Sequence, residues 1–315
     1  MMIRRGFILG AGAGLAAACA PAREPVVSAT AAEAAYPPLG RLYGPDGRRV
    51  HATDDGRGDG APVILIHGAS GNVRDWTFDI TRRLSTHRRV IAMDRPGFGY
   101  SEREGTEGAW RPEAQAAQLR EAAREMGAER PVLVGHSWGA SVALAWALDA
   151  PDDVSGVVSV SGVTMPWGGI APIFDALGFG PLIAAAYNRR ITRTAETGGV
   201  ERFIARAFQP QDPPKGYLDY VGAPLALREK TLAANGQDLA NTNRGVAALA
   251  ARYGELKVPA EIMHGDADWL LDIEQHGVAF AAAAPNARLT PLPGIGHMAH
   301  HAREDVLSEL IERVA

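Results

Sequence analysis

From Pro62 onward the chain alternates short apolar runs with amphipathic stretches. Pro62-Val63-Ile64-Leu65-Ile66-His67-Gly68 is a continuous β-branched run closed by glycine, the pattern of a strand buried on both faces. Arg89–Asp94, Pro131–Gly135, Val157–Val160 and Ala260–Met263 repeat it, and Ala287–Thr290 does so more weakly. Between the second and third runs, Pro112 to Met126 spaces Ala116, Leu119, Ala123 and Met126 at helical intervals behind a proline suited to the first helical position. Ser141 to Leu148 is apolar all round, as in a helix buried beneath other elements. Strands alternating with helices predict an α/β fold whose mostly parallel sheet carries helices on both faces. The ladder breaks between Val163 and about Asp238, where prolines are frequent and Val200–Phe208 reads as a short helix. That stretch is too long for a plain loop in a compact domain. The expected organisation is a core of residues 41–163 and 238–315, with a helical cap at 164–237.

The first forty residues follow a different pattern. Arg4-Arg5 precedes a Gly/Ala-rich apolar run from Gly6 to Ala18, too short for a membrane-spanning helix, and a small-residue zone follows. Residues 1–20 therefore read as an export signal, and residues 21–40, rich in Ala and Pro, as a flexible tether. Arg4-Arg5-Gly6-Phe7-Ile8-Leu9 resembles a twin-arginine signal, although Ile3 stands where a Ser or Thr usually does. Leu15-Ala16-Ala17-Ala18-Cys19 resembles a lipobox, which implies lipidation of Cys19 and membrane attachment of a periplasmic protein. The alternative is cleavage after Ala18-Cys19-Ala20, which leaves a soluble periplasmic chain.

Composition narrows the field. The 315 residues are 46% hydrophobic and 22% charged, with a formal charge of −4, which is ordinary for a globular protein and gives no basic footprint for nucleic acid. One cysteine permits no intramolecular disulfide and no Cys-based zinc site, and the nine histidines include no H-E-x-x-H. Neither a metal nor a cofactor is expected.

The chemistry lies where three of the strands end. Gly135-His136-Ser137-Trp138-Gly139 follows a buried strand and opens a helix, so the G-x-S-x-G pattern sits where a tight turn would expose Ser137. A serine hydroxyl needs a base within hydrogen-bond reach, itself oriented by a carboxylate. His297, in Gly294-Ile295-Gly296-His297, is the candidate base; His300 and His301 fall in the following helix, where surface or packing roles are expected. His264-Gly265-Asp266-Ala267-Asp268 offers two acids, of which Asp268 is the candidate and Asp266 is expected to hold the turn.

Five motifs in order, namely His67-Gly68, Asp94-Arg95-Pro96-Gly97-Phe98-Gly99-Tyr100-Ser101, the Ser137 turn, the Asp268 turn and the His297 turn, resemble the α/β-hydrolase fold family from about Pro62 to the C-terminus. The resemblance implies an oxyanion hole made by the backbone amides of Ala69 and Trp138. His67 is expected in a structural role, bonding loop backbone, and Asp94–Ser101 as a rigid turn beside the pocket. Gly-His-x-Trp-Gly-Ala is similar to the elbow of epoxide hydrolases, where x is Asp. Serine displacing at an alkyl carbon would form an ether that cannot be cleaved at a carbonyl. The expected activity is thus hydrolysis of a small acyl substrate, an ester or a lactone, through an acyl-enzyme on Ser137. The alternatives are C–C bond hydrolysis or perhydrolase (haloperoxidase-like) chemistry with the same three residues, or a slow-turnover binding or sensor protein.

Overall fold

The computed structural model describes residues 28–58, 60–168, 180–195 and 198–315. The export-signal and Cys19 expectations fall outside these residues, as does part of the expected cap.

Eight strands form one sheet in the order β1-β2-β4-β3-β5-β6-β7-β8. They are β1 (Arg41–Tyr43), β2 (Val50–Ala52), β3 (Val63–Ile66), β4 (Val90–Met93), β5 (Val132–His136), β6 (Gly156–Val160), β7 (Ala260–Gly265) and β8 (Ala287–Leu292). From β4 to β8 all neighbours are parallel, whereas β1 and β2 add an antiparallel edge. That edge was not among the expected strands. Each of its two strands has only three residues, and β1 is largely exposed, so neither leaves a long apolar run.

The alternation of side chains along a strand divides the core into two layers. Ile64 and Ile66 of β3 pack on one face with α4 (Pro112–Glu125) and α5 (Trp138–Asp149), while Val63 and Leu65 pack on the other with Trp76 and the C-terminal helix Glu304–Val314. Both faces are therefore covered, as near-continuous β-branched strands require.

The helices before α4 are α1 (Ala29–Ala35), α2 (Arg74–Thr77) and α3 (Ile80–Leu84). Between β6 and β7 lie α6 (Gly180–Ala195), α7 (Gly199–Phe208), α8 (Tyr217–Tyr220), α9 (Ala223–Ala226) and α10 (Glu229–Ala250); α11 (Ala279–Ala283), α12 (Ala299–Ala302) and α13 (Glu304–Val314) follow. Two features correct the sequence expectations. The boundary at 237/238 falls inside α10, a single helix that runs from the insertion into the core with Val246 and Leu249 buried there. Residues 28–40 are also not a loose tether. Ser28 Oγ caps α1 by accepting from the Ala31 amide at 3.1 Å, and Ala32 is buried. An alanine run has the highest helix propensity, so once capped and packed it leaves the coil state that composition alone suggested.

β3 is flanked by β4 on one side and β5 on the other, so the chain reverses its direction of winding between β3 and β5. In open α/β sheets the crevice at such a switch point, beyond the carboxyl ends of the strands, is where ligands bind. The loops that leave β3 and β5 carry Gly68-Ala69 and Ser137.

Candidate active site

Ser137 sits between β5 and α5 with φ 52° and ψ −118°, a conformation costly for a residue with a Cβ. The turn is held by its own backbone: the Ser137 amide donates to Val160 O at 2.9 Å, and its carbonyl accepts from Ala140 and Val163 at 3.1 and 3.0 Å. Glycine is required on both sides. A Cβ on Gly135 would lie 2.4 Å from the Gly139 carbonyl oxygen, and one on Gly139 would lie 2.2 Å from that of Ile66. Helix α5 thereby starts against the end of β3, with Trp138 as its first residue. The amides of Ala69 and Trp138 donate to no acceptor among the described residues, and Gly68 lies so near the turn that a Cβ there would sit 3.1 Å from Ser137 Cβ.

The loops after β7 and β8 bring Asp268 and His297 together. Asp268 Oδ2 lies 2.7 Å from His297 Nδ1. Asp268 Oδ1 accepts from the amides of Leu270 and Leu271 at 2.9 and 3.0 Å. Burial alone would raise the carboxyl's pKa, but His264, His297 and the Leu271 amide outweigh it and hold Asp268 well below the usual carboxylate range. Asp266 points elsewhere: its Oδ1 accepts from the Gly294 amide at 2.6 Å, which ties the β7 turn to the loop that carries His297. His297 in turn packs against His136 with ring centroids 4.8 Å apart, and its carbonyl lies 3.2 Å from His136 Nε2. The structure thus gathers Ser137, Asp268 and His297 at one end of the sheet; the Ser137 hydroxyl makes no hydrogen bond to His297 here, a contact often long or absent before substrate binds.

His67 faces the loop backbone, as expected. Its Nε2 accepts from the Arg95 amide at 2.9 Å, so Nδ1 carries the proton and donates to Gly68 O at 2.8 Å. Burial and then Arg95 lower its pKa to about 4, which keeps the ring neutral. The Asp94–Ser101 turn is rigid because Asp94 is saturated: it accepts from the Val73 and Tyr100 amides and pairs with His51 Nδ1 at 2.7 Å.

Sequence reasoning missed a buried polar cluster behind Ser137. His300 and His301, expected on a surface or in simple packing, converge on Asp75 of α2, with nitrogen–oxygen distances of 3.2 and 2.9 Å. Tyr217 of α8 donates to the same carboxylate at 2.7 Å, and His136 lies 3.9 Å from it. Burial opposes ionisation of Asp75, but His300 and His301 prevail and hold its pKa well below normal. The ligand atoms of Asp75, His300 and His301 lie within 4.8 Å of one another, a spacing a metal ion could use. The donor set fits a closed hydrogen-bond network better. His300 Nδ1 is buried without an acceptor, so giving Nε2 to a metal would strand an N–H there, whereas donation from Nε2 to Asp75 leaves Nδ1 unprotonated. Asp75 stands 225 residues from His300 in sequence, which is why no local motif announced the cluster.

Comparison with known proteins agrees with this architecture. The profile of the alpha/beta hydrolase fold family matches residues 61–303. Epoxide hydrolase B of Mycobacterium tuberculosis is 33% identical over 131 residues, 41% of this chain but only 36% of that protein, so the match spans about a third of its length. The 2-hydroxymuconate semialdehyde hydrolase of Pseudomonas putida is 27% identical over 286 residues, covering 88% of this chain and 94% of that one. Among solved structures, the enol-lactonase from Burkholderia xenovorans LB400 superposes with a TM-score of 0.64 at 20% identity, over 87% of this chain and 99% of that one, a likeness of fold.

Proposed function

This chain belongs to the alpha/beta hydrolase fold family, and we propose that it is a serine hydrolase that cleaves a carboxylic ester or lactone through an acyl-enzyme on Ser137. The observation that carries the reading is the strained Ser137 at the switch point of the sheet, with the Asp268–His297 pair, 2.7 Å apart, brought to the same end. In this mechanism His297 Nε2 takes the proton of Ser137 as its oxygen attacks the acyl carbon. Asp268, bonded to Nδ1, holds the ring and stabilises the imidazolium. The amides of Ala69 and Trp138 receive the negative charge on the tetrahedral oxygen, and the start of α5 adds its dipole. His297 then protonates the leaving group, and water, activated by the same imidazole, hydrolyses the acyl-enzyme.

The nucleophile separates this chain from its epoxide hydrolase relative. An aspartate ester formed by opening an epoxide can be cleaved at its carbonyl; the ether that Ser137 would form cannot. The reading therefore requires an acyl carbon in the substrate. The nearly full-length likeness to a 2-hydroxymuconate semialdehyde hydrolase favours a second reading, hydrolysis of a C–C bond next to a carbonyl with the same three residues.

An alkyl fluorophosphonate should label the wild-type chain at Ser137, and Ser137→Ala should lose both labelling and hydrolysis across an ester and lactone panel, a drop of roughly 10⁴-fold or more. A Ser137→Ala protein that kept a tenth of the wild-type rate would exclude the mechanism.

A further inference from the structure

Helix α10 reaches the loop that carries the Ala69 amide through buried charges. Arg95 has no exposed surface. Its Nη1 donates to Asp238 Oδ2 on α10 at 2.7 Å and to Gln115 Oε1 at 2.8 Å. Its other two nitrogens turn to the loop: Nε donates to His67 O and Nη2 to Gly68 O, each at 3.1 Å. His67 Nδ1–H donates to the same Gly68 oxygen at 2.8 Å. Because the peptide group is planar and trans, the Gly68 carbonyl and the Ala69 N–H lie in one rigid plane and point in opposite directions. The Gly71 amide donates to the Gly68 oxygen as well, at 3.3 Å, and pinning the carbonyl oxygen with three donors fixes the direction of the Ala69 N–H. The next amide is held as well, since Ser70 N–H donates to Asn235 Oδ1 at 3.1 Å, one turn before Asp238 on the same helix. Arg103 closes the network from the far side, donating to Asp238 Oδ1 at 2.8 Å.

We propose that Arg95 and Asp238 are positioning residues for the oxyanion hole: α10 seats Arg95, and Arg95 sets the Gly68–Ala69 peptide. The proposal rests on the serine-hydrolase reading above. It accounts for a guanidinium at this place, because one planar fork serves two carbonyls, a carboxylate and an amide oxygen at once, whereas a lysine offers a single nitrogen. It also couples the hole to the insertion. Helix α6 packs along α10, where Asn188 Nδ2 donates to Leu232 O at 2.9 Å, so a shift of these helices reaches the Gly68–Ser70 loop through the Arg95–Asp238 ion pair and the Asn235–Ser70 hydrogen bond.

The test uses the full chain, with Arg95→Lys and Asp238→Asn beside wild type. Three quantities are measured per titrated active site: the rate of Ser137 labelling by a fluorophosphonate, kcat and KM for p-nitrophenyl butyrate, and Ki for a trifluoromethyl ketone whose hemiketal oxyanion would fill the hole. Asp238→Asn should lower kcat roughly 10- to 100-fold, since loss of a whole oxyanion donor costs about 10²- to 10³-fold and this variant only misaligns one. KM should stay within about threefold, and Ki should rise by the same factor as kcat falls. Arg95→Lys, which removes the donors to His67 O and Gly68 O themselves, should slow labelling at least as much as Asp238→Asn; if it does not fold, Asp238→Asn decides alone. A merely structural pair would lower Tm and the number of titratable sites but leave kcat per site and Ki unchanged, and that result overturns the positioning role. A wild-type chain that fluorophosphonate does not label at Ser137 overturns instead the serine-hydrolase reading on which the proposal stands.

Discussion

At the scale of single residues, the two acids of the β7 turn separate by what they touch. Asp268 and Asp266 are two positions apart and chemically identical, yet Asp268 takes His297 Nδ1 while Asp266 takes the Gly294 amide. An amide in place of Asp268 still accepts a hydrogen bond but cannot stabilise an imidazolium. It also offers an NH₂ that favours the wrong tautomer of His297. Asp268→Asn should therefore lower kcat by about 10⁴-fold with the fold retained. Asp266→Asn keeps an acceptor for Gly294 and should leave kcat within about an order of magnitude, its cost appearing in stability at the level of one hydrogen bond, about 1 kcal/mol. Steady-state kinetics and thermal unfolding of the two variants check this. A larger loss of kcat in Asp266→Asn would reverse the assignment. The acid could be read in the sequence because a glycine turn after a strand limits where the next carboxylates go. The buried Asp75 could not, since nothing within ten residues of it hints that His300 and His301 lie against it.

At the scale of elements, α1 behaves as a strap across the junction of α9 and α10. Glu33 pairs with Arg228 at 2.6 Å, Tyr100 Oη donates to Tyr36 O at 2.5 Å, and Arg74 Nη2 donates to Pro37 O at 2.8 Å. Arg228 is 1% exposed and also donates to the carbonyls of Leu225 and Gly99, so it joins the strap, α9 and the Asp94–Ser101 turn. Arg228→Met should destabilise the chain by about 1–3 kcal/mol, the cost of stranding buried acceptors, whereas Glu33→Ala, at a half-exposed site, should cost less than about 1 kcal/mol. Denaturant midpoints of the two variants measure the difference; equal losses would mean that the strap, rather than Arg228 itself, holds this corner. What was legible here followed period and length. Helices α4 and α5 and the strands β3 to β8 each left an apolar signature, and their observed bounds lie within a few residues of those expected. The Ala-rich α1 and the three-residue strands β1 and β2 did not, because their order comes from partners distant in sequence. Helix α10 left a subtler mark: Asn235 and Asp238, spaced for one helical face, are polar yet buried, and a polar stripe of that kind signals a partner such as Arg95.

Across the whole molecule, buried neutral histidines surround the site, and this sets how stability should vary with pH. Burial above all lowers His67, His276 and His300 from 6.5 to about 4. Geometry gives the reason in each case. His67 Nε2 accepts from the Arg95 amide, His276 Nδ1 accepts from the amides of Thr164 and Met165 at 3.3 Å, and His300 Nδ1 is enclosed without an acceptor. Protonating any of them would put a donor against a donor, or a charge in an apolar enclosure. Unfolded, the same rings take up a proton as pH falls through 6.5, so between 6.5 and about 4 the unfolded chain binds more protons than the folded one. Stability is then fully present above the unfolded value and declines with falling pH, each ring contributing a slope of up to about 1.4 kcal/mol per pH unit. The buried carboxylates do not offset this. Asp75 and Asp268 are depressed, so their contribution is constant above their ordinary range near 3.8 and is lost only below it, in the same direction. Guanidinium unfolding should accordingly give a lower midpoint at pH 5 than at pH 7.5. His276→Asn, which keeps an acceptor toward Thr164 and Met165 but cannot titrate, should flatten the slope between them. A midpoint that is level, or higher at pH 5, would mean that these rings are accessible to protons in the folded chain, and with that the neutral His67 that holds Gly68 O would have to be given up.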